Sequence, residues 1–121
     1  MLGGNGLRIS FTRKADILIA KLEGELDHHH ADDLRLALDR QLEDGSIKNL
    51  IYDLGGLNFM DSSGIGVFIG RYKVIRKREG QACLTGVNSQ LDKILDLSGL
   101  YRILKAYNSV QEAIDDIRGV A

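Results

Sequence analysis

One short stretch of the sequence carries side chains whose types and order suit chemistry on a phosphate group. Asp61, Ser62 and Ser63 are consecutive and are followed by Gly64. An apolar run precedes them and a helical pattern follows, which predicts a loop between a strand and a helix. The first N–H groups of a helix lack partners and carry a partial positive charge, which favours an anion. The stretch therefore indicates either a bound phosphate group or phosphorylation of a serine.

Two other interpretations of the same residues are open. Aspartate and serine are common helix N-caps, so the stretch can be purely structural, although a cap needs one such residue and here three are consecutive. A serine nucleophile needs a base, but the sequence lacks Gly-x-Ser-x-Gly and places no histidine predictably beside the hydroxyls. It also lacks the Gly-x-x-x-x-Gly-Lys phosphate loop, so any phosphate placed here must be delivered by another protein.

Glycines inside the predicted helix are the next unusual feature. Gly64, Gly66 and Gly70 each cost about 1 kcal/mol relative to alanine in a helix interior. Glycine at such positions commonly marks the close approach of another backbone. Gly66 and Gly70 are four residues apart and share a helix face. We therefore expect a neighbouring strand or a partner protein to approach the helix at these positions.

A second polar stretch follows the second predicted strand. Asp27 is followed by three histidines, His28, His29 and His30, and Asp27 or a histidine can cap the next helix. Consecutive residues do not share a helix face, and there is no second cluster, so no metal site is predicted. Carboxyl ends of parallel strands meet at one edge of a sheet, so we expect Asp27 to lie beside residues 58–64.

Alternating strand and helix patterns predict an α/β fold in the order β-β-α-β-α-β-α-β-α, with a mixed, mostly parallel sheet and helices packed on it. The tight connection between the first two strands predicts an antiparallel hairpin. Predicted strands lie at residues 7–12, 17–22, 49–54, 82–87 and 103–107, and predicted helices at 29–44, 63–78, 88–97 and from 109 onward. Leu97 is expected on the buried side of the third helix, Cys83 inside a strand, and the basic residues 71–78 in solvent.

Composition narrows the function classes. The 121 residues include 16 basic and 17 acidic side chains, a net charge of -1, which leaves no basic surface for direct nucleic-acid binding. No apolar run approaches the ~20 residues of a spanning helix, and the N-terminus does not resemble a signal peptide, so no membrane insertion is expected. A single cysteine fits a reducing cytoplasm. Residues 1–6 are expected to be flexible and residues 7–119 to form one domain.

Three segments resemble a known family. Residues 59–67, continued by Gly70-Arg71-Tyr72-Lys73, are similar to the phosphorylation segment of anti-anti-sigma factors of the STAS superfamily. Residues 24–29 and 97–100 resemble the segments that follow the second strand and the third helix in that family.

The resemblance implies a cytoplasmic regulatory switch, not an enzyme, with no cofactor and no metal. It implies that Ser62 accepts phosphate from an anti-sigma factor that is itself a serine kinase, and that a membrane-associated PP2C-type phosphatase removes it. The unphosphorylated form would bind the anti-sigma factor and free sporulation sigma factor F. The expected partner-binding residues are Asp27, Asp61, Ser63, Gly64 and Gly66. The alternative is a STAS-type scaffold that binds a nucleotide or a partner without phosphorylation.

Overall fold

Five strands form one mixed sheet in residues 6–120, the part of the chain that the computed structural model describes. They are β1 (Leu7–Lys14), β2 (Ile17–Leu26), β3 (Asn49–Met60), β4 (Ala82–Thr85) and β5 (Lys105–Tyr107). The strands follow one another in chain order across the sheet. β1 pairs antiparallel with β2, and the other neighbours are parallel. The predicted fold and hairpin are confirmed. The expected flexible N-terminus lies outside the described residues, apart from Gly6, whose carbonyl accepts from the Glu25 N–H at 3.1 Å.

Helices cover both faces of this sheet. They are α1 (Ala31–Leu42), α2 (Ser62–Lys77), α3 (Ser89–Leu97) and α4 (Val110–Ile117), with a short 3-10 helix at Leu100–Arg102. β2 shows how the faces divide: Leu18 and Leu22 pack in the cluster formed with α1, α2 and α3, whereas Ile17 and Ile19 pack with α4. A strand covered on both faces is apolar without alternation, which explains its sequence. Within residues 6–120 no helix is long and apolar enough to cross a bilayer.

β3 is longer than the sequence pattern predicted. It continues to Met60, so residues 58–60, expected to form a loop, belong to the strand. The reason is that β2 also continues to Leu26, which pairs with Met60 after two register shifts along β2. The pairing holds this end of β3 extended although its sequence contains glycine and asparagine. Only Asp61 separates β3 from α2, so the serines that follow are fixed directly to the sheet.

Two arginines of the basic run, Arg71 in α2 and Arg78 directly after it, are held inside the fold, contrary to the expectation that the run is solvated. Arg78 donates from Nη2 to the Leu42 carbonyl at 2.6 Å and from Nη1 to the Ile47 carbonyl at 2.8 Å. The Arg71 side chain is 13% exposed, and its Nε lies 3.1 Å from Asp39 Oδ1 on α1. These contacts tie α2 to α1 at two levels and fix the space between the two helices.

Candidate functional site

Ser62 is the first residue of α2, and its side chain is exposed. The residue before it, Asp61, is the N-cap: its backbone is extended, and its carboxylate accepts from the Ser63 N–H at 2.9 Å. The capping interpretation of this stretch is therefore correct for Asp61. It leaves the Ser62 hydroxyl at the surface, at the positive end of a 16-residue helix.

Asp61 also joins the two loops that the sequence predicted to be neighbours. Its second carboxylate oxygen accepts from the His28 N–H at 3.2 Å, and its own N–H donates to the Leu26 carbonyl at 3.2 Å. The expectation that the Asp27 loop lies beside the start of α2 is confirmed. The frame around Ser62 is thus held by backbone groups from β2 and its following loop, not by local sequence alone.

Asp27 closes a tight turn before α1. Its carboxylate accepts from the His29 N–H at 2.9 Å and lies 2.8 Å from His30 Nδ1, while its carbonyl accepts from the N–H groups of His30 and Ala31. Desolvation would raise the pKa of Asp27, but the hydrogen bonds from His30 and His29 outweigh it, so the pKa lies below its ordinary value. The formal N-cap of α1 is His30, whose side chain makes no capping bond. The rings of His28 and His29 contact each other at an angle of 42°, with centroids 4.0 Å apart.

The glycines of α2 differ in what surrounds them. Gly64 is buried, and a Cβ there would lie 2.8 Å from Leu26 Cγ and 3.0 Å from Met60 Cγ. Glycine at this position lets α2 pack closely on the ends of β2 and β3. At Gly66 and Gly70 a Cβ would meet no described atom within 4 Å. The expectation that a neighbouring strand approaches there is wrong. The alternative, a partner protein, stays a prediction, and of the two glycines only Gly66 lines a surface groove that a partner segment can enter.

A groove of about 330 Å³ runs between α1 and α2 beside these residues. We call it the α1–α2 groove. Its lining from α2 includes Ser63, Gly66, Val67 and Arg71, and its other side includes His28 and Arg35. Two of the expected partner-binding residues, Ser63 and Gly66, therefore share one concave surface that begins one residue after Ser62.

An apolar patch on the other side of the Ser62 position was missed from the sequence. Leu97, expected to be buried, is 88% exposed, and Phe59 at the end of β3 is 47% exposed. Together with Ile94 they line a depression of about 280 Å³ between β3 and α3. The helical spacing could have predicted this exposure. Leu91 and Leu95 are four residues apart and share the buried face, whereas Leu97 is only two residues after Leu95 and therefore lies on another face. We call Phe59, Ile94 and Leu97 the apolar patch.

Comparisons with known proteins match most of the chain to one family. The family model of the STAS domain matches residues 8–113. The chain is 36% identical to the anti-sigma F factor antagonist of Paenibacillus polymyxa over 95% of this chain and 98% of that protein. It is 33% identical to the anti-sigma-B factor antagonist of Listeria monocytogenes over 80% of this chain and 82% of that protein.

Two solved structures share the fold at 28% sequence identity. One is the anti-sigma factor antagonist SpoIIAA in its unphosphorylated form, with a TM-score of 0.83 over 94% of this chain and 99% of that chain. The other is the Bacillus cell fate determinant SpoIIAA in the phosphorylated form, with a TM-score of 0.72 over 92% of this chain and 100% of that chain.

Proposed function

This chain belongs to the STAS domain family, and we propose that it is an anti-sigma factor antagonist switched by phosphorylation of Ser62. In this proposal the unphosphorylated form binds an anti-sigma factor that is also a serine kinase, and the bound anti-sigma factor releases its sigma factor. ATP on the kinase supplies the phosphate, and a PP2C-type phosphatase restores the active form. The observation that carries the proposal is the exposed Ser62 hydroxyl directly after the Asp61 cap.

The position of Ser62 suits a residue that must carry phosphate in one state and none in the other. A phosphoserine adds about -1.5 to -2 charges and three acceptor oxygens. At the first position of a helix these oxygens meet the positive end of the dipole, so the fold tolerates the modified state. The exposed hydroxyl is open to the active site of another protein, as a phosphate acceptor must be.

The same phosphate would oppose binding of the partner. Asp61 is adjacent and the Asp27 loop is joined to it, so a partner docked here meets a phosphate close to two carboxylates. A thousandfold loss of affinity requires about 4 kcal/mol. Repulsion between like charges and desolvation of a phosphate at an interface supply an energy of that order. The switch therefore needs no refolding of the domain.

The partner surface that we propose extends from Ser62 onto the apolar patch. Exposed large apolar side chains grouped on one surface are typical of protein interaction sites. Phe59 lies near the end of β3, three residues before Ser62, so a partner that covers the serine would also cover this patch. Burying Leu97 in the complex would remove its exposed surface from water.

We further propose sigma factor F as the sigma factor that is released. The anti-sigma F factor antagonist of Paenibacillus polymyxa matches 95% of this chain at 36% identity, whereas the anti-sigma-B factor antagonist of Listeria monocytogenes matches 80% of it at 33%. Measuring which anti-sigma factor the unphosphorylated chain binds, with both offered at equal concentration, tests this choice. Preferential binding of the anti-sigma-B factor would overturn it.

The phosphorylation proposal is tested by incubating the purified protein with its anti-sigma factor kinase and ATP, then locating phosphate by mass spectrometry. We expect one phosphate on Ser62, none in Ser62→Ala, and wild-type modification in the matched control Ser89→Ala, because Ser89 is the exposed first residue of α3 and lies outside the proposed docking residues. Ser62→Ala should bind the kinase as the wild type does, and Ser62→Asp should bind more weakly. Phosphate on another residue, or no phosphate, would contradict the proposal, as would equal binding of the two Ser62 variants.

A further inference from the structure

Nothing in the described part of the chain requires a glycine at position 66. A Cβ there would meet no described atom within 4 Å, whereas the Cβ of an alanine at Gly64 would be pressed against Leu26. The φ angle of Gly66 is negative, so its backbone does not require glycine. The residue lies within α2, where alanine is the better helix former. Glycine at this position therefore weakens the helix without improving the packing of the domain.

Gly66 lies in the α1–α2 groove, where a missing side chain has a second effect. Ser63, Val67 and Arg71 line the groove from the same helix, so Gly66 leaves the backbone of α2 uncovered in the middle of the lining. A partner segment can approach the helix axis more closely at a glycine than at any other residue. The groove begins at Ser63, one residue after the proposed acceptor, so a protein docked on Ser62 reaches it.

The charges of the groove indicate what such a segment carries. Arg35 and Arg71 line it against one acidic residue, Asp32. Arg71 Nε lies 3.1 Å from Asp39 Oδ1, yet Nε and Nη1 of Arg71 are both buried without a hydrogen-bond partner in the described part of the chain. A buried donor without an acceptor is costly, and a guanidinium pairs best with a carboxylate. The pairs of Arg35 with Asp32 and Asp39 are solvent-exposed and therefore weak.

We infer that the α1–α2 groove is a second docking site for the anti-sigma factor kinase and takes a segment of that protein bearing a carboxylate side chain. The segment packs on the bare backbone of α2 at Gly66, and its carboxylate pairs with Arg35, whose side chain is 43% exposed, while Arg71 adds positive charge to the same lining. This inference rests on the proposed function, because the same partner must cover Ser62. It adds a contact surface on the side of Ser62 opposite to the apolar patch, and it assigns a role to a glycine that weakens the helix.

The experiment compares two glycines of the same helix. Gly66→Ala and Gly70→Ala both place a Cβ in open space, but only Gly66 lines the groove. Each variant should raise the melting temperature by about 3–6 °C, because alanine is the better helix former. By calorimetric titration of the unphosphorylated proteins with the kinase, Gly66→Ala should bind at least about tenfold more weakly. Gly70→Ala should bind as the wild type does.

The charge of the segment is tested with two arginines of α1. Arg35 lines the groove, whereas Arg40 is exposed and is not among the groove residues. Arg35→Met should weaken binding by about three- to tenfold and reduce its dependence on salt, since a charge pair is lost. Arg40→Met should leave both unchanged. Equal binding of the kinase by Arg35→Met and Arg40→Met would refute the claim that the docking segment carries a carboxylate that pairs with Arg35.

The outcomes separate this inference from the proposed function. If the wild-type chain does not bind the kinase, the proposed function fails. If the wild type binds and both glycine variants bind equally well, the proposed function stands and the groove is not a docking site. A Gly66→Ala variant that is more stable yet binds more weakly supports the inference, because a defect in folding would move both quantities in the same direction.

Discussion

Asp61 should stabilise the domain by more than an ordinary helix cap, because its carboxylate makes two hydrogen bonds from opposite sides. Asp61 Oδ1 accepts from the Ser63 N–H at 2.9 Å within α2, and Asp61 Oδ2 accepts from the His28 N–H at 3.2 Å in the loop after β2. Loss of an N-cap costs about 0.5–2 kcal/mol. Loss of a hydrogen bond to a charged group costs about 1.5–3 kcal/mol, and less where water can replace it. We expect Asp61→Ala to lower the free energy of unfolding by about 2–3 kcal/mol.

The assay is urea denaturation of the purified variant beside a matched control. Ser109 is the N-cap of α4 and accepts from the Glu112 N–H at 3.1 Å, a bond within its own helix. Ser109→Ala should therefore cost about 1 kcal/mol, the value of a cap alone. The loss of unfolding free energy for Asp61→Asn should lie between the losses for Ser109→Ala and Asp61→Ala. The amide keeps one acceptor for the Ser63 N–H but turns its NH₂ group toward the His28 N–H. The difference between the two alanine variants isolates the bond that joins the loops.

Two results would refute this reasoning. The first is a loss for Asp61→Ala no larger than the loss for Ser109→Ala, which would mean that the His28 bond adds nothing. The second is unchanged hydrogen exchange of the His28 amide in Asp61→Ala, since that amide should lose protection when its acceptor is removed.

Three further predictions follow from the packing and the pKa values. Gly64→Ala should lower the melting temperature, in contrast to Gly66→Ala, because its Cβ would lie 2.8 Å from Leu26 Cγ and overpacking costs about 1–3 kcal/mol; thermal denaturation of both variants measures this. Burial raises the pKa of the Cys83 thiol to about 12, so a thiol reagent at pH 8 should label the protein only after unfolding in urea. The lowered pKa of Asp27 means that its carboxylate stabilises the fold above its ordinary value of 3.8 and loses that effect as the pH falls through the lowered pKa. The difference in unfolding free energy between wild type and Asp27→Asn should therefore shrink below about pH 4 in denaturation experiments.

Each of these has a contrary outcome. A higher melting temperature for Gly64→Ala would mean that Leu26 moves aside without cost. Labelling of the native protein at the rate of an exposed thiol would show that the strand carrying Cys83 opens readily. A difference between wild type and Asp27→Asn that stays constant down to pH 2 would mean that the carboxylate is not stabilised by its neighbours in the folded state.

The order of the elements and the place of the site could be predicted from the sequence, because both depend on short-range patterns. Period-two and three-four spacing identified the strands and helices, and the rule that parallel strands end at one edge placed Asp27 beside residues 58–64. The position of Ser62 at a helix start followed from the polar run between an apolar strand and a helical pattern. Cys83, expected in a strand interior, is 1% exposed.

The parts that could not be predicted depend on contacts between elements distant in sequence. The length of β3 is set by pairing with the end of β2, and its own sequence of glycine and asparagine there favours a turn. Arg78 is held by the carbonyls of Leu42, the last residue of α1, and of Ile47, whereas Arg71 is held beside the Asp39 carboxylate within α1. Whether a glycine in α2 is packed or open depends on Leu26, which lies nearly forty positions earlier.

Some residues around Ser62 are bonded or packed within the domain, and others face outward. This arrangement indicates that the proposed docking surface keeps its shape. Asp61 and Asp27 have their carboxylates engaged by backbone N–H groups, and Gly64 is fully packed. These contacts hold the backbone around Ser62 in place. Ser62 and Gly66 face outward from that fixed frame. In the proposed switch, a phosphate on Ser62 would stand on a backbone held by these contacts, so local rearrangement would not move its charge away from the partner. For that reason, substitutions that loosen the frame, such as Asp61→Ala, should reduce the difference in partner affinity between the phosphorylated and unphosphorylated forms, in addition to lowering stability.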